Sequence, residues 1–164
     1  MLRIGQGFDV HAFENGRKLI LGGVEITNNQ GLAGHSDADV LIHAVIDAIL
    51  GASALGDIGK LFPDNDIAYK NADSRELLKK VLQQVPKFTL NNLDVTVICE
   101  KPKIAGYTTQ MRKNLAEIFD CDINQISIKG TTTEKLGFTG RSEGIAAMAV
   151  ILLSFEVKER SKES

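Results

Sequence analysis

Apolar and polar positions alternate along residues 2–13, the two-residue period of a β-strand with one buried face. Asn15-Gly16 reads as a turn into a short strand at residues 18–21, which predicts a hairpin that ends at Gly22-Gly23. The period then changes. Val40, Leu41, Ile42, Ala44, Val45, Ile46, Ala48, Ile49 and Leu50 make one segment apolar nearly all round, the mark of a buried helix. Ser36 or Asp37 is placed to cap it, and it runs to about Ala54. Asp73-Ser-Arg-Glu76 has the form of a capping box opening a second helix, which Pro86 stops. Residues 89–100 read as strand, Thr108 or Thr109 caps a third helix to about Phe119, and residues 125–131 return to strand. Residues 144–157 hold Ala and Met that favour helix and Val, Ile and Phe that favour strand; their place closing the alternation selects strand. The expected fold class is α+β: a single-domain mixed β-sheet with helices packed on one face, spanning residues 1–157, then a polar tail at 158–164.

Composition narrows the function more than the fold. A chain of 164 residues with 43% apolar content suits one domain with one core. A net charge of −2 with both signs interspersed offers no footprint for nucleic acid or an anionic membrane. The longest apolar run, residues 145–153, is too short to cross a bilayer. Met1-Leu2-Arg3-Ile4-Gly5 lacks the apolar core of a signal peptide, so a cytoplasmic protein is expected. Cys99 and Cys121 stand in no metal-binding or disulfide spacing and are read as reduced packing residues.

The chemistry begins on the buried helix. Its strongly polar members, Asp39, His43 and Asp47, are spaced i, i+4, i+8 and so form one stripe. Asp9 and His11, two apart in a strand, project from one face. With His43 they offer three ligands and leave a fourth tetrahedral position open, as a catalytic zinc requires, while Asp39 or Asp47 is placed to orient His43 from behind. By spacing alone, a buried histidine satisfied by an ordinary hydrogen bond is the commoner outcome. His35, with Ser36, precedes the helix and is placed to meet an anion at its N-terminus or to serve as a capping residue.

Thr131, Thr132 and Thr133, flanked by glycines, suit a phosphate, and Glu134 offers a hard oxygen for magnesium. A threonine-rich strand end with a charged turn accounts for the same residues equally well. Arg141 is suited either to clamp a diphosphate or to pair with Glu143. Gly5-Gln6-Gly7 and the Gly56–Leu61 stretch fail the dinucleotide and Walker patterns.

Taken together, Gly7-Phe-Asp-Val-His11, His35-Ser-Asp-Ala-Asp-Val40 with His43, Gly56-Asp-Ile-Gly-Lys-Leu-Phe-Pro-Asp64, Asp73-Ser-Arg75 and the Thr131–Arg141 stretch closely resemble the 2-C-methyl-D-erythritol 2,4-cyclodiphosphate synthase family, from about residue 3 to 155. The resemblance implies a homotrimer with active sites at subunit interfaces. Each would convert 4-diphosphocytidyl-2-C-methyl-D-erythritol 2-phosphate to the cyclic diphosphate and CMP in the non-mevalonate isoprenoid pathway. It implies zinc on Asp9, His11 and His43, a magnesium or manganese ion on Glu134, and His35 and Thr132 steadying the transition state. Ser36, Asp57, Ile58, Gly59, Phe62, Pro63, Asp64, Asn65 and Asp66 would enclose the methylerythritol part. Cys99, Pro102, Lys103 and Ala105, with Thr131, Thr132, Thr133 and Glu134, would hold the cytidine diphosphate. Phe138 and Arg141 would meet an isoprenoid diphosphate on the trimer axis. Two other readings fit the residues: a zinc phosphohydrolase that admits water at the open metal position, and a non-catalytic nucleotide or isoprenoid-diphosphate sensor on the same fold.

Overall fold

The computed structural model describes residues 1–62 and 71–156. Strand β1, Leu2–Asn15, keeps the alternation of the sequence: Gly5, Gly7, Asp9 and His11 turn toward the covered side, and Ile4, Gln6, Phe8 and Val10 toward the open side. It pairs antiparallel with β7, Gly144–Phe155, which is therefore strand throughout, as its place in the alternation required. β7 pairs antiparallel with β5, Phe88–Ile98, and β5 runs parallel to β6, Ile126–Thr131. With β4, Gln30–Leu32, at the other edge, the mixed sheet has the order β4-β1-β7-β5-β6.

The expected hairpin of residues 2–13 with 18–21 does not form. β2, Leu19–Leu21, pairs instead with β3, Val24–Ile26, around Gly22-Gly23, while β1 takes β4 and β7 as neighbours. Gly22 and Gly23 both have positive φ, 57° and 71°, which makes them the turn itself rather than the end of a strand pair.

Helix α1, Val40–Ser53, lies on the covered face of β1 and β7, with eleven of its residues buried. It fits closely because β1 presents Gly5 and Gly7 beneath it: a Cβ on either would stand 1.8 or 1.9 Å from the carbonyl oxygens of Ala48 and Ala44. The glycine pair that failed as a nucleotide fingerprint is thus a docking groove for a helix backbone. The helix starts later than Ser36 or Asp37 would place it. Asp39 is the cap, and its carboxylate accepts from Ile42 N and also from Gly22 N and Gly23 N, tying the β2–β3 turn to the helix start.

The short helix α2, Ile58–Leu61, is capped by Asp57. Helix α3, Ser74–Gln84, is capped by Asp73 and ends before Pro86; Glu76 pairs with Lys79 instead of closing a capping box. Helix α4, Thr108–Phe119, carries no side-chain cap, because Thr108 Oγ1 turns back to the Ala105 carbonyl. A one-turn helix α5, Gly137–Gly140, precedes β7. Both cysteines are free. Among the described residues, no helix is long and apolar enough to cross a membrane.

Candidate metal centre and nucleotide pocket

Strand geometry puts Asp9 and His11 side by side on the covered face, and α1, docked on Gly7, lowers His43 onto them. Asp9 Oδ2 lies 3.0 Å from His11 Nε2 and 3.1 Å from His43 Nδ1, and the two ring nitrogens are 3.1 Å apart. Tetrahedral ligands held about 2.0–2.1 Å from a zinc ion stand about 3.3 Å from one another, so the triangle has the size that such an ion requires.

The outward nitrogens decide where the protons sit. His11 Nδ1 faces the Ala33 carbonyl at 2.5 Å and must donate to it, which leaves Nε2 with a lone pair in the neutral ring. Two acceptors, that nitrogen and the Asp9 carboxylate, then face His43 Nδ1. Burial alone would raise the Asp9 carboxyl, but the contacts with His11 and His43 hold it well below the usual carboxylate range. Burial likewise disfavours a charged His11, yet Asp9 outweighs this and raises it. Without a metal, a proton on His11 is what keeps such a cluster together; a divalent cation is the stronger solution.

The remaining members of the polar stripe do other work than expected. Asp39 and Asp47 were candidates to orient His43, but Asp39 is consumed by the three backbone amides at the helix start. Asp47 Oδ1 accepts from Ile58 N at 2.7 Å and so holds the start of α2 against α1. The groups behind His43 are serines: Ser36 Oγ and Ser74 Oγ each lie 3.1 Å from its Nε2. Sequence reasoning assigned no role to Ser74, whose signals were its place beside a helix cap and within the Asp73-Ser-Arg75 motif.

His35 does not sit at the N-terminus of α1, which begins five residues later; it lines the same cavity as the triad. That cavity, about 190 Å³, is also walled by Ser36, Ile58, Gly59 and Phe62. Arg17, likewise unforeseen, donates to the carbonyls of Gly34 and Ser36 at 2.6 and 2.5 Å and so fixes the backbone on both sides of His35. Asp57 is exposed and caps α2 beside the cavity. Pro63, Asp64, Asn65 and Asp66 lie outside the described residues.

A second cavity, about 330 Å³, collects Cys99, Pro102, Lys103, Ala105, Thr131, Thr132 and Glu134, with Ile104 and Gly130. Thr132 Oγ1 donates to Glu134 Oε1 at 3.0 Å, while Thr133 is bound instead to Thr139 and the Leu136 carbonyl. Glu134 and Lys135 both have positive φ, 52° and 64°, and the Lys135 amide is held by Glu100 Oε1 at 3.0 Å. Both cavities open at the same end of the sheet, since Asp9 and Val97 are each registered with Ala147. They are three strands apart, however, about 14 Å at the usual strand spacing. The chain therefore brings Asp9, His11, His43, His35 and Ser36 together and leaves Thr132 and Glu134 elsewhere. Phe138 and Arg141 lie farther along the chain on α5 and its end, and Arg141 forms a two-bond pair with Glu143.

Residues 2–154 match the model of the YgbB family. A 2-C-methyl-D-erythritol 2,4-cyclodiphosphate synthase of Acinetobacter baylyi is 56% identical over 159 residues, 96% of this chain and 98% of that one. One of Listeria monocytogenes is 57% identical over 155 residues, 93% of this chain and 99% of the relative. Among solved structures, the bifunctional IspDF of Campylobacter jejuni superposes with a TM-score of 0.91 at 47% identity; the match covers 95% of this chain and 43% of that longer one. A Plasmodium falciparum IspF in complex with CDP gives 0.79 at 37% identity, covering 95% of this chain and 97% of the other.

Proposed function

The chain belongs to the YgbB family, and from that premise we propose that Asp9, His11 and His43 hold a zinc ion while Glu134 holds a magnesium or manganese ion. Its reaction is the conversion of 4-diphosphocytidyl-2-C-methyl-D-erythritol 2-phosphate to 2-C-methyl-D-erythritol 2,4-cyclodiphosphate in the non-mevalonate isoprenoid pathway, a phosphorus–oxygen lyase step. An oxygen of the 2-phosphate attacks the β-phosphorus, the bond from that phosphorus to the bridging oxygen breaks, and CMP leaves with the bridging oxygen. No water enters.

Nucleophile and electrophile are both anionic, so screening and in-line placement are the main tasks of the protein. When bound, the two cations supply the positive charge that offsets this repulsion. His35, fixed by Arg17 beside the triad, and Thr132 donate to the reacting phosphoryl oxygens. Ser36, Asp57, Ile58 and Gly59, with Phe62, enclose the methylerythritol part and keep bulk water from the β-phosphorus. Cys99, Pro102, Lys103 and Ala105, with the threonines, bind the cytidine half.

A homotrimer completes this site. One cavity is lined by His35 and the other by Thr132, and a neighbouring chain would bring the two together. The open sheet face supports such assembly: Ile4, Phe8, Val10, Met148 and Val150 are 38–72% exposed there, a contiguous apolar patch. Phe138 and Arg141 would meet a diphosphate on the trimer axis, Arg141 by exchanging Glu143 for it. Placement in the cytoplasm is part of the same reading.

The observation that carries the proposal is the convergence of one carboxylate oxygen and two imidazole nitrogens, 3.0–3.1 Å apart, at the mouth of a cavity shared with His35. Phosphorus NMR of the purified chain with substrate, zinc and magnesium tests it. The expected products are a cyclic diphosphate and CMP in equal amounts; linear phosphates would mark a hydrolase, and no turnover a sensor, and either would overturn the proposal.

A further inference from the structure

Resting on that metal site, we propose that Ser74, oriented by Asp37, is a positioning residue that fixes the tautomer of His43 and so aims its Nδ1 lone pair at the metal. His43 Nε2 has two hydroxyl neighbours at 3.1 Å, Ser36 Oγ and Ser74 Oγ, and all three residues are buried. The two serines are not equivalent.

Ser74 Oγ donates its one proton to Asp37 Oδ1, and Asp37 Oδ2 accepts from Ser74 N at 3.1 Å. Asp37 is itself steadied by the amide of Asp39 at 3.2 Å. With its proton given to Asp37, Ser74 Oγ turns only lone pairs to the imidazole, so Nε2 must carry the hydrogen. Nδ1 then carries the lone pair that faces Asp9 and His11.

Ser36 lacks that constraint. Its Oγ accepts from Ala38 N at 3.2 Å, and its own proton is free to go to Nε2, which would move the ring hydrogen to Nδ1 and close the metal side. The Asp37–Ser74 bond decides between the two tautomers. It also joins the loop before α1, the first residue of α3 and the metal face of α1, so the relay draws on three parts of the fold.

The test compares the full-length wild type with Ser74→Ala and Asp37→Asn, and with the double variant Ser36→Ala/Ser74→Ala, by zinc competition against a fluorescent chelator. Nitrogen NMR of histidine-labelled, metal-free protein reads the tautomer; three histidines keep the spectrum assignable. Ser74→Ala and Asp37→Asn should each weaken zinc binding about 10–100-fold and shift His43 toward the Nδ1–H form. Adding Ser36→Ala should remove the competing donor and recover part of the affinity, a reversal that loss of packing would not produce. Unchanged zinc affinity and tautomer in both single variants would overturn the inference while leaving the metal site standing. A wild type that takes up no zinc would overturn both.

Discussion

Replacing Gly7 by alanine perturbs the contact that sets the height of α1 above the sheet, and therefore the position of His43 over Asp9 and His11. The added Cβ would lie 1.9 Å from Ala44 O and 2.8 Å from Ala48 N, whereas ordinary contact begins at 3.4 Å. Both neighbours are backbone, so no side chain can swing aside. The helix must lift by about 1.5 Å or the strand must bend, an overpacking that costs about 1–3 kcal/mol. For a chain of this size that lowers the melting temperature by about 2–12 °C at fixed protein concentration. Ala44 adjoins His43, and metal-ligand distances tolerate only about 0.2 Å, so the lift takes Nδ1 out of reach. Zinc affinity should fall by more than the roughly 100-fold that disturbing a merely orienting residue can cause. Thermal unfolding followed by circular dichroism and chelator competition measure the two effects. A Gly7→Ala protein with wild-type melting temperature and wild-type zinc affinity would refute the claim that this close approach builds the site.

Glu134→Gln should leave zinc content unchanged while raising the magnesium concentration needed for half-maximal rate; a magnesium titration indistinguishable from wild type would exclude Glu134 as the ligand. Because Asp9 raises His11 above its ordinary 6.5, metal-free protein holds a proton there that zinc must displace, and the raised group stabilises the metal-free fold below 6.5 and ceases to as pH climbs through its folded value. Calorimetry at pH 6.5 in buffers of different ionisation enthalpy should show net proton release on zinc binding, and zero release would contradict the assignment. Burial, reinforced by Asp37, pushes Asp39 up to about 6, so the folded state keeps a proton that the unfolded state has lost, and Asp39 lowers stability as pH rises from 3.8 to about 6. Asp39→Asn should flatten that window yet cost about 1–3 kcal/mol at neutral pH, because an amide nitrogen would face a backbone N–H; urea unfolding at several pH values checks both. Val150→Lys, on the open face, should shift the protein to monomer in sedimentation and abolish turnover while leaving the circular dichroism spectrum unchanged.

The order of elements was readable because it depends on local periodicity: the alternation of β1, the apolar wrap of α1 and the stop at Pro86 each act within a few residues. The metal triad was partly readable for the same reason, since Asp9 and His11 share a strand face by geometry alone. The partner of each strand was not readable. The turn residues Asn15-Gly16 suggested a hairpin, but burial of β1 against β7 across more than 130 residues outweighed the nearby strand. What lies behind His43 was also beyond local reading. Asp39 and Asp47 share its stripe, but the backbone amides of Gly22, Gly23 and Ile58, brought in by the fold, engage both carboxylates, leaving Ser36 and Ser74 to meet the ring.

The sequence by itself determined that Asp9 and His11 share one face of a strand and that His43 stands on one stripe of a helix, because dihedral sterics and helix or strand period are properties of short stretches. Only the tertiary structure decided which faces meet, which backbone groups each side chain engages, and that the Asp9, His11 and His43 triad and Glu134 stand three strands apart in one chain. Those outcomes depend on backbone approaches and hydrogen-bond competition between segments far apart in sequence, and no local pattern records them.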